Sequence, residues 1–129
     1  MRNFLRSIVT VAVVAVLGAS ASIAFAAARP NTAYDGVWSV MIYTQAGDCP
    51  QSLRYSVRIA GGRVLSDDQA YQVAGTVAPN GETRVVVAEH DRSASGVGRL
   101  SGNQGQGRWR TSTGECVGQW TAERRQYNY

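Results

Sequence analysis

The fold is decided by the segment Cys116-Val117-Gly118-Gln119-Trp120-Thr121-Ala122, close to the end of the 129-residue chain. Its even-numbered positions place small or aromatic side chains on one face of a β-strand, because successive side chains in a strand point to opposite faces. The only other cysteine, Cys49, follows the first predicted strand, residues 37–43, which carries Trp38. If the two cysteines pair, the first and last strands are held together and the chain closes on itself.

The first 26 residues predict a signal peptide. Arg2 and Arg6 precede an apolar run over residues 8–19, and Ala24-Phe25-Ala26 has the small-x-small pattern of a signal-peptidase site. The run is shorter than the roughly 20 residues that span a bilayer, so a cleaved signal is favoured over an anchor that stays attached. We therefore expect export to the periplasm or the extracellular space, without stable membrane insertion after cleavage.

Export favours a Cys49–Cys116 disulfide, because exported chains fold under oxidising conditions. The two residues are 67 positions apart, and closing a loop of that length stabilises a fold by roughly 4 kcal/mol. The alternative, a redox or metal site, lacks a Cys-x-x-Cys pattern. The expected organisation is a signal peptide (1–26), a flexible leader (27–34), one β-barrel domain (35–126) and a C-terminal tail (127–129).

The mature chain predicts an all-β fold. Short segments with alternating apolar and polar residues recur at near-regular spacing, separated by turn residues such as Gly61-Gly62 and Pro79-Asn80-Gly81. We expect an antiparallel up-and-down meander of about eight strands. A closed barrel is favoured over a β-sandwich, because closure removes exposed sheet edges and fits a disulfide between the terminal strands. The predicted strands are residues 37–43, 52–59, 63–65, 71–77, 83–88, 94–100, 107–111 and 116–122.

The start and end of the domain resemble the calycin barrels, a group that includes lipocalins, avidins and certain metalloprotease inhibitors. The resemblance rests on Gly36-Val37-Trp38 in the first strand and on Arg124 and Arg125 after the last. It implies that Trp38 lies at the base of the barrel and that Arg124 or Arg125 covers its indole, since a guanidinium stacks well on an aromatic face. The whole layout also resembles small exported bacterial β-barrel proteins of unassigned function, a likeness that implies an adhesion or heme-associated role at most.

The interior is predicted to be aromatic on one side and glycine-rich on the other. An eight-stranded barrel is just wide enough for its own side chains or for one small ligand, and we favour the filled interior. The sharper alternative is a cavity on the glycine side, where missing side chains leave room. The candidate ligand-binding residues are Trp38, Tyr55, Tyr71, Trp109, Trp120, Gly96 and Gly98.

An enzyme is not expected, and neither is a cofactor or a metal. His90 is the only histidine and sits in the polar segment Glu89-His90-Asp91-Arg92, where a solvated turn is favoured over a metal ligand, a heme ligand or a general base. The sequence has no nucleophile elbow, phosphate loop or dinucleotide motif. Paired carboxylates for glycosidic chemistry cannot be placed.

All 13 basic residues are arginine, and the formal net charge is +4. Acidic residues are interspersed, so we expect an ordinary soluble surface and no nucleic-acid partner. The less favoured reading is a surface for acidic polysaccharide, lipid headgroups or a partner protein. The arginines on the polar faces of their strands are Arg54, Arg58, Arg84, Arg108 and Arg110.

The sequence thus predicts a non-catalytic binding protein. Its ligand would be a small apolar or aromatic molecule inside the barrel, or a partner protein. The alternatives are a secreted protease-inhibitor-like or envelope adhesion module, which would make contact through loops or through the leader, and a heme-associated protein.

Overall fold

The computed structural model describes residues 12–16, 18–20 and 31–126. Most of the predicted signal peptide, residues 27–30 of the leader and the tail 127–129 lie outside the described residues. No helix that is both long and apolar enough to cross a membrane occurs in these described ranges.

Eight antiparallel strands form a closed barrel in which each strand pairs with the next and β8 pairs with β1. Closure occurs where Ile42 pairs with Trp120 and Val40 with Ala122. The predicted all-β, up-and-down barrel is therefore confirmed, and the sandwich alternative is not adopted. The strands are β1 (Gly36–Ala46), β2 (Ser52–Ala60), β3 (Arg63–Ser66), β4 (Gln72–Val77), β5 (Glu82–Glu89), β6 (Arg92–Ser101), β7 (Gln104–Thr111) and β8 (Val117–Arg124).

The barrel has two unlike ends, which we call the base and the mouth. The base carries the tight β2–β3 and β6–β7 turns together with residues 31–35, and the mouth carries the loops 47–51, 67–71 and 112–116 with the β5–β6 turn. The β2–β3 turn needs glycine, because Gly61 and Gly62 have φ values of 58° and 79°. Positive φ at both central residues matches the twist of a two-residue hairpin.

Residues 31–35 cross the base and close it. Asn31 donates a side-chain hydrogen bond to the Val77 carbonyl at 2.7 Å. The indole of Trp38 is fully buried, and its Nε1–H donates to the Tyr34 carbonyl at 2.8 Å. The sequence predicted a loose leader up to Tyr34, whereas the structure places Asn31 and Tyr34 in contact with the barrel, because the base presents carbonyl and indole groups that need partners.

Arg124 covers Trp38 from the outside. Its guanidinium carbon lies 5.0 Å from the centroid of the indole ring. The same group donates to the carbonyls of Asp35 (3.0 Å), Ala33 (2.9 Å) and Gly102 (3.0 Å). The Arg124 side chain therefore connects residues 33–35 and the β6–β7 turn to the end of β8. Arg125 follows in the chain and is exposed, so of the two arginines named by the resemblance it is Arg124 that lies over the indole.

The disulfide between Cys49 and Cys116 is confirmed, with its Cα atoms 6.3 Å apart. It joins the β1–β2 loop to the residue that precedes β8, so it clamps the mouth. The last strand begins at Val117, one residue later than predicted, and Cys116 is 1% exposed. A disulfide of this kind indicates a compartment outside the cytoplasm.

Candidate ligand-binding site

The interior of the barrel contains a cavity of about 350 Å³. It runs from Trp38 at the base up to Pro50, Glu89 and Arg92, which are exposed or lie at the mouth. Aliphatic residues such as Val57, Val73, Val85 and Val87 form most of the wall between these ends. The expectation of a filled interior is therefore wrong.

The cavity survives because two indoles lie along the wall and do not fill the centre. Trp120 is 6% exposed and pairs in register with Gly107, which pairs in turn with Gly98. A Cβ atom at Gly98 would lie 2.5 Å from Cζ2 of Trp120, and one at Gly107 would lie 2.6 Å from the same atom. These distances are shorter than a carbon–carbon contact of about 3.5–4.0 Å. The glycines therefore make the room in which the Trp120 indole lies.

Trp109 also lies across a glycine of the neighbouring strand, in the direction from β7 to β8. It pairs in register with Gly118 on β8, and a Cβ atom there would lie 2.8 Å from its Nε1. The indole crosses Gly118 and donates to the Tyr43 carbonyl on β1 at 3.0 Å. The glycine-rich side of the barrel was the predicted alternative location of a cavity. Instead, the indole rings of Trp109 and Trp120 cover glycines on this side.

A pattern in the sequence could have indicated this arrangement. Both β7 and β8 contain a Gly-x-Trp segment, Gly107-Arg108-Trp109 and Gly118-Gln119-Trp120. When two such segments pair antiparallel with the observed register, each tryptophan faces the glycine of the other strand. Reciprocal Gly-x-Trp segments on adjacent strands thus predict indoles that lie flat across the sheet.

Of the predicted ligand-binding residues, Trp38, Tyr55, Trp109, Trp120 and Gly96 line the cavity. The structure brings these five together. Two others, Tyr71 and Gly98, lie outside the lining. Gly98 is covered by Trp120, as described above.

Tyr71 completes the barrel wall at a gap. Strand β3 ends at Ser66, opposite Val57. The half of β2 that is nearer the mouth therefore has no strand beside it on that side. The Tyr71 hydroxyl accepts from the Ser56 N–H at 3.0 Å and donates to the Ser56 carbonyl at 2.7 Å. A side chain thereby satisfies the two backbone groups that the missing strand residue would have paired.

The phenol of Tyr55 lies between the cavity and this gap. Its ring meets that of Tyr71 edge-on, with 4.7 Å between centroids. Burial raises the pKa of Tyr55 above its ordinary value, and the Glu89 carboxylate and Tyr71 act in the same direction. Burial also raises the pKa of Tyr71, against the opposing effect of its hydrogen bond with the Ser56 backbone. Both shifts extend the neutral form of the phenol to a higher pH than the ordinary pKa of about 10 allows.

Charged side chains enter the cavity lining only at the mouth. Glu89 and Arg92 pair across the two-residue β5–β6 turn and continue the inward-facing positions of their strands. The sequence analysis placed Arg92 in the turn. The alternation along β5, in which Thr83, Val85 and Val87 face inward, would have predicted that Glu89 faces inward as well. His90 lies in that turn with a φ of 54°, is exposed and does not line the cavity.

Two threonine hydroxyls of the interior bond to the backbone. The buried Thr83 hydroxyl donates to the Gly81 carbonyl at 2.9 Å. The Thr44 hydroxyl donates to the Pro50 carbonyl at 2.6 Å and orders the loop that carries Cys49. Within the described ranges there is no group of three or more His, Cys, Asp or Glu side chains that could hold a metal ion.

The sequence matches no model of a known protein family and no curated protein. The calycin resemblance thus stays an interpretation based on Gly36-Val37-Trp38 and Arg124. The function has to be inferred from the cavity.

Proposed function

We propose that this protein is an exported binding protein that holds a small apolar or aromatic ligand inside its barrel and does not catalyse a reaction. The observation that carries the proposal is the cavity of about 350 Å³, with aliphatic and indole walls and charged residues only at its mouth. Pockets for small molecules are mostly apolar and enclose roughly 300–1,000 Å³, so this one suits a compact ligand at the lower end of that range.

The shape of the walls favours a ligand with a flat ring. Trp109 and Trp120 lie against the sheet on their glycine partners and line the cavity. An aromatic ring stacked or set edge-on against an indole gains about 0.5–1.5 kcal/mol beyond the burial of its area. Because both indoles are held by packing, and Trp109 also by its hydrogen bond to Tyr43, binding requires little further ordering of these side chains.

A protein-partner role through the leader has less support. An inhibitor-like contact would need this segment free, whereas Asn31 bonds to Val77 and Tyr34 accepts from Trp38 at the base. A heme-associated role also lacks support, because His90 lies outside the cavity lining.

The test is a titration of a fluorescent apolar probe, N-phenyl-1-naphthylamine, into the wild-type protein and two matched variants. Val85 lines the cavity, while Val86, the next residue along β5, is 51% exposed on the outer face. We expect Val85→Phe to weaken probe binding at least tenfold by occupying the cavity and Val86→Phe to leave it unchanged. Wild-type protein without probe binding, or equal effects of the two substitutions, would overturn the proposal.

Native mass spectrometry of the protein purified gently from its own exporting cell complements the titration. A bound small molecule would give the mass of the natural ligand. The disulfide makes the chain two hydrogens lighter than the reduced form and so provides an internal check of the folded state.

A further inference from the structure

The outer surfaces of β5, β6 and β7 carry a patch that we call the arginine wall, formed by Arg84, Val86, Val97, Arg108 and Arg110. Arg84 pairs in register with Val97, and Val97 with Arg108, so these three residues form one row across the strands. Val86 and Arg110 lie in the next row, on either side of Ser95. All five are exposed, with Val86 at 51% and Val97 at 49%.

The three arginines are close together and lack acidic partners. Neighbouring strands are about 4.8 Å apart, so the row from Arg84 to Arg108 spans about 10 Å, and Arg110 is about 7 Å further along β7. In the part of the chain that the structure describes, the ion pairs are Arg58–Asp67 and Arg99–Glu82. The barrel therefore maintains an unbalanced positive patch on this wall.

The opposite wall, formed by β1, β2 and β3, carries three outward arginines, Arg54, Arg58 and Arg63. Arg58 lies 3.7 Å from Asp67, and the ion pairs of the described residues include neither Arg54 nor Arg63. The arginine wall thus carries three arginines outside ion pairs against two, so an anionic partner would be drawn more strongly to β5–β7.

We propose that the arginine wall docks on an anionic lipid surface. Guanidinium groups bind phosphate oxygens with paired, charge-assisted hydrogen bonds. The two half-exposed valines between them distinguish a membrane from a soluble polyanion, because a lipid interface accepts aliphatic groups beside its phosphates whereas a hydrated acidic polymer does not cover them. Each arginine near an anionic membrane contributes about fivefold to partitioning, which corresponds to about 1 kcal/mol.

The test is co-sedimentation of the full chain, with its disulfide intact, with vesicles of phosphatidylcholine alone and with vesicles in which about a third of the lipid is phosphatidylglycerol. We expect binding to the second kind only, weakening as salt shortens the screening length. The double variant Arg108→Gln/Arg110→Gln should bind about 25-fold more weakly. Arg54→Gln, on the opposite wall, should change binding less than twofold.

The valines test the choice of partner. Val86→Thr/Val97→Thr keeps the charge, the shape and the strand preference, so it should weaken vesicle binding severalfold and leave binding to dextran sulfate unchanged. Three results would overturn the proposal: no binding of the wild type to anionic vesicles, an Arg54→Gln effect as large as that of a wall arginine, or vesicle binding that is insensitive to the valine changes. The last result, with strong dextran sulfate binding, would assign the wall to an acidic polymer. Near-ultraviolet circular dichroism checks that each variant keeps the native fold.

Discussion

Replacing Gly98 by alanine is the sharpest test of how the interior is built. A Cβ atom there would overlap the Gln106 carbonyl oxygen, and it would lie 2.5 Å from Cζ2 of Trp120 and 2.7 Å from Cα of Gly107. Since the two carbon–carbon contacts are about 1 Å too short, the indole and β7 must both shift. Overpacking of this kind costs about 1–3 kcal/mol, and the lower chain entropy of unfolded alanine offsets about 0.4–1 kcal/mol of it.

We therefore expect Gly98→Ala to lower the free energy of unfolding by about 1.3 kcal/mol. For a domain of this size the Tm should fall by about 5–10 °C. The displaced indole should also narrow the cavity and weaken binding of the naphthylamine probe. Urea and thermal unfolding measure the first effect, and near-ultraviolet circular dichroism of the tryptophans reports the movement of the ring.

Gly96→Ala is the matched control on the same strand and face. Its Cβ atom would lie 3.3 Å from Nε1 of Trp120, with the next neighbour at 3.6 Å. A shift of a few tenths of an ångström suffices there, so the unfolding free energy should change by less than about 0.5 kcal/mol. If the two variants proved equally stable and had the same tryptophan spectrum, the packing of Trp120 against Gly98 described here would be refuted.

Three further outcomes are expected. Replacing both Cys49 and Cys116 by serine should lower the free energy of unfolding by up to about 4 kcal/mol in urea titrations, and an unchanged midpoint would contradict a stabilising clamp at the mouth. Arg124→Ala should lower the free energy of unfolding by roughly 2–3 kcal/mol because three carbonyls lose a charged donor, whereas Arg125→Ala should lower it by less than about 0.5 kcal/mol. Equal Tm values for the two variants would show that the stability of the base does not depend on Arg124. Burial raises the pKa of Tyr55, so the folded protein holds that proton more tightly than the unfolded chain, whose tyrosines titrate near 10. Stability should therefore be fully retained below about pH 10 and fall as the pH rises through the higher folded value, and Tyr55→Phe should flatten the fall in urea midpoint; an unaltered slope would argue against this burial.

Much of the fold could be predicted because it depends on local alternation and on closure. The strand segments follow the period of two along the chain, and turn residues such as Gly61-Gly62 separate them. The Cys49–Cys116 pair then requires the terminal strands to be neighbours. The predicted boundaries were short by a few residues at several strand ends, because pairing with an adjacent strand extends a strand beyond its alternating segment.

The candidate site could be predicted only in part. The alternation correctly directed Trp38, Tyr55, Trp109 and Trp120 inward, since a strand's faces are set by its own sequence. It could not give the direction in which each indole turns. That direction depends on which residue of the next strand lies in register, as Gly107 does for Trp120.

Alternation along the strands and the two cysteines predicted four properties: the all-β meander, the closing disulfide, the inward aromatic residues and the outward arginines. These properties are local, or follow from the two cysteines, so each can be predicted from the order of residues along the chain. Three features are evident only in the folded barrel: the cavity in its interior, the position of Arg124 over Trp38, and the row formed by Arg84, Val97 and Arg108. Each of these depends on register between strands, and a shift of one residue would turn the side chains of a strand to the other face.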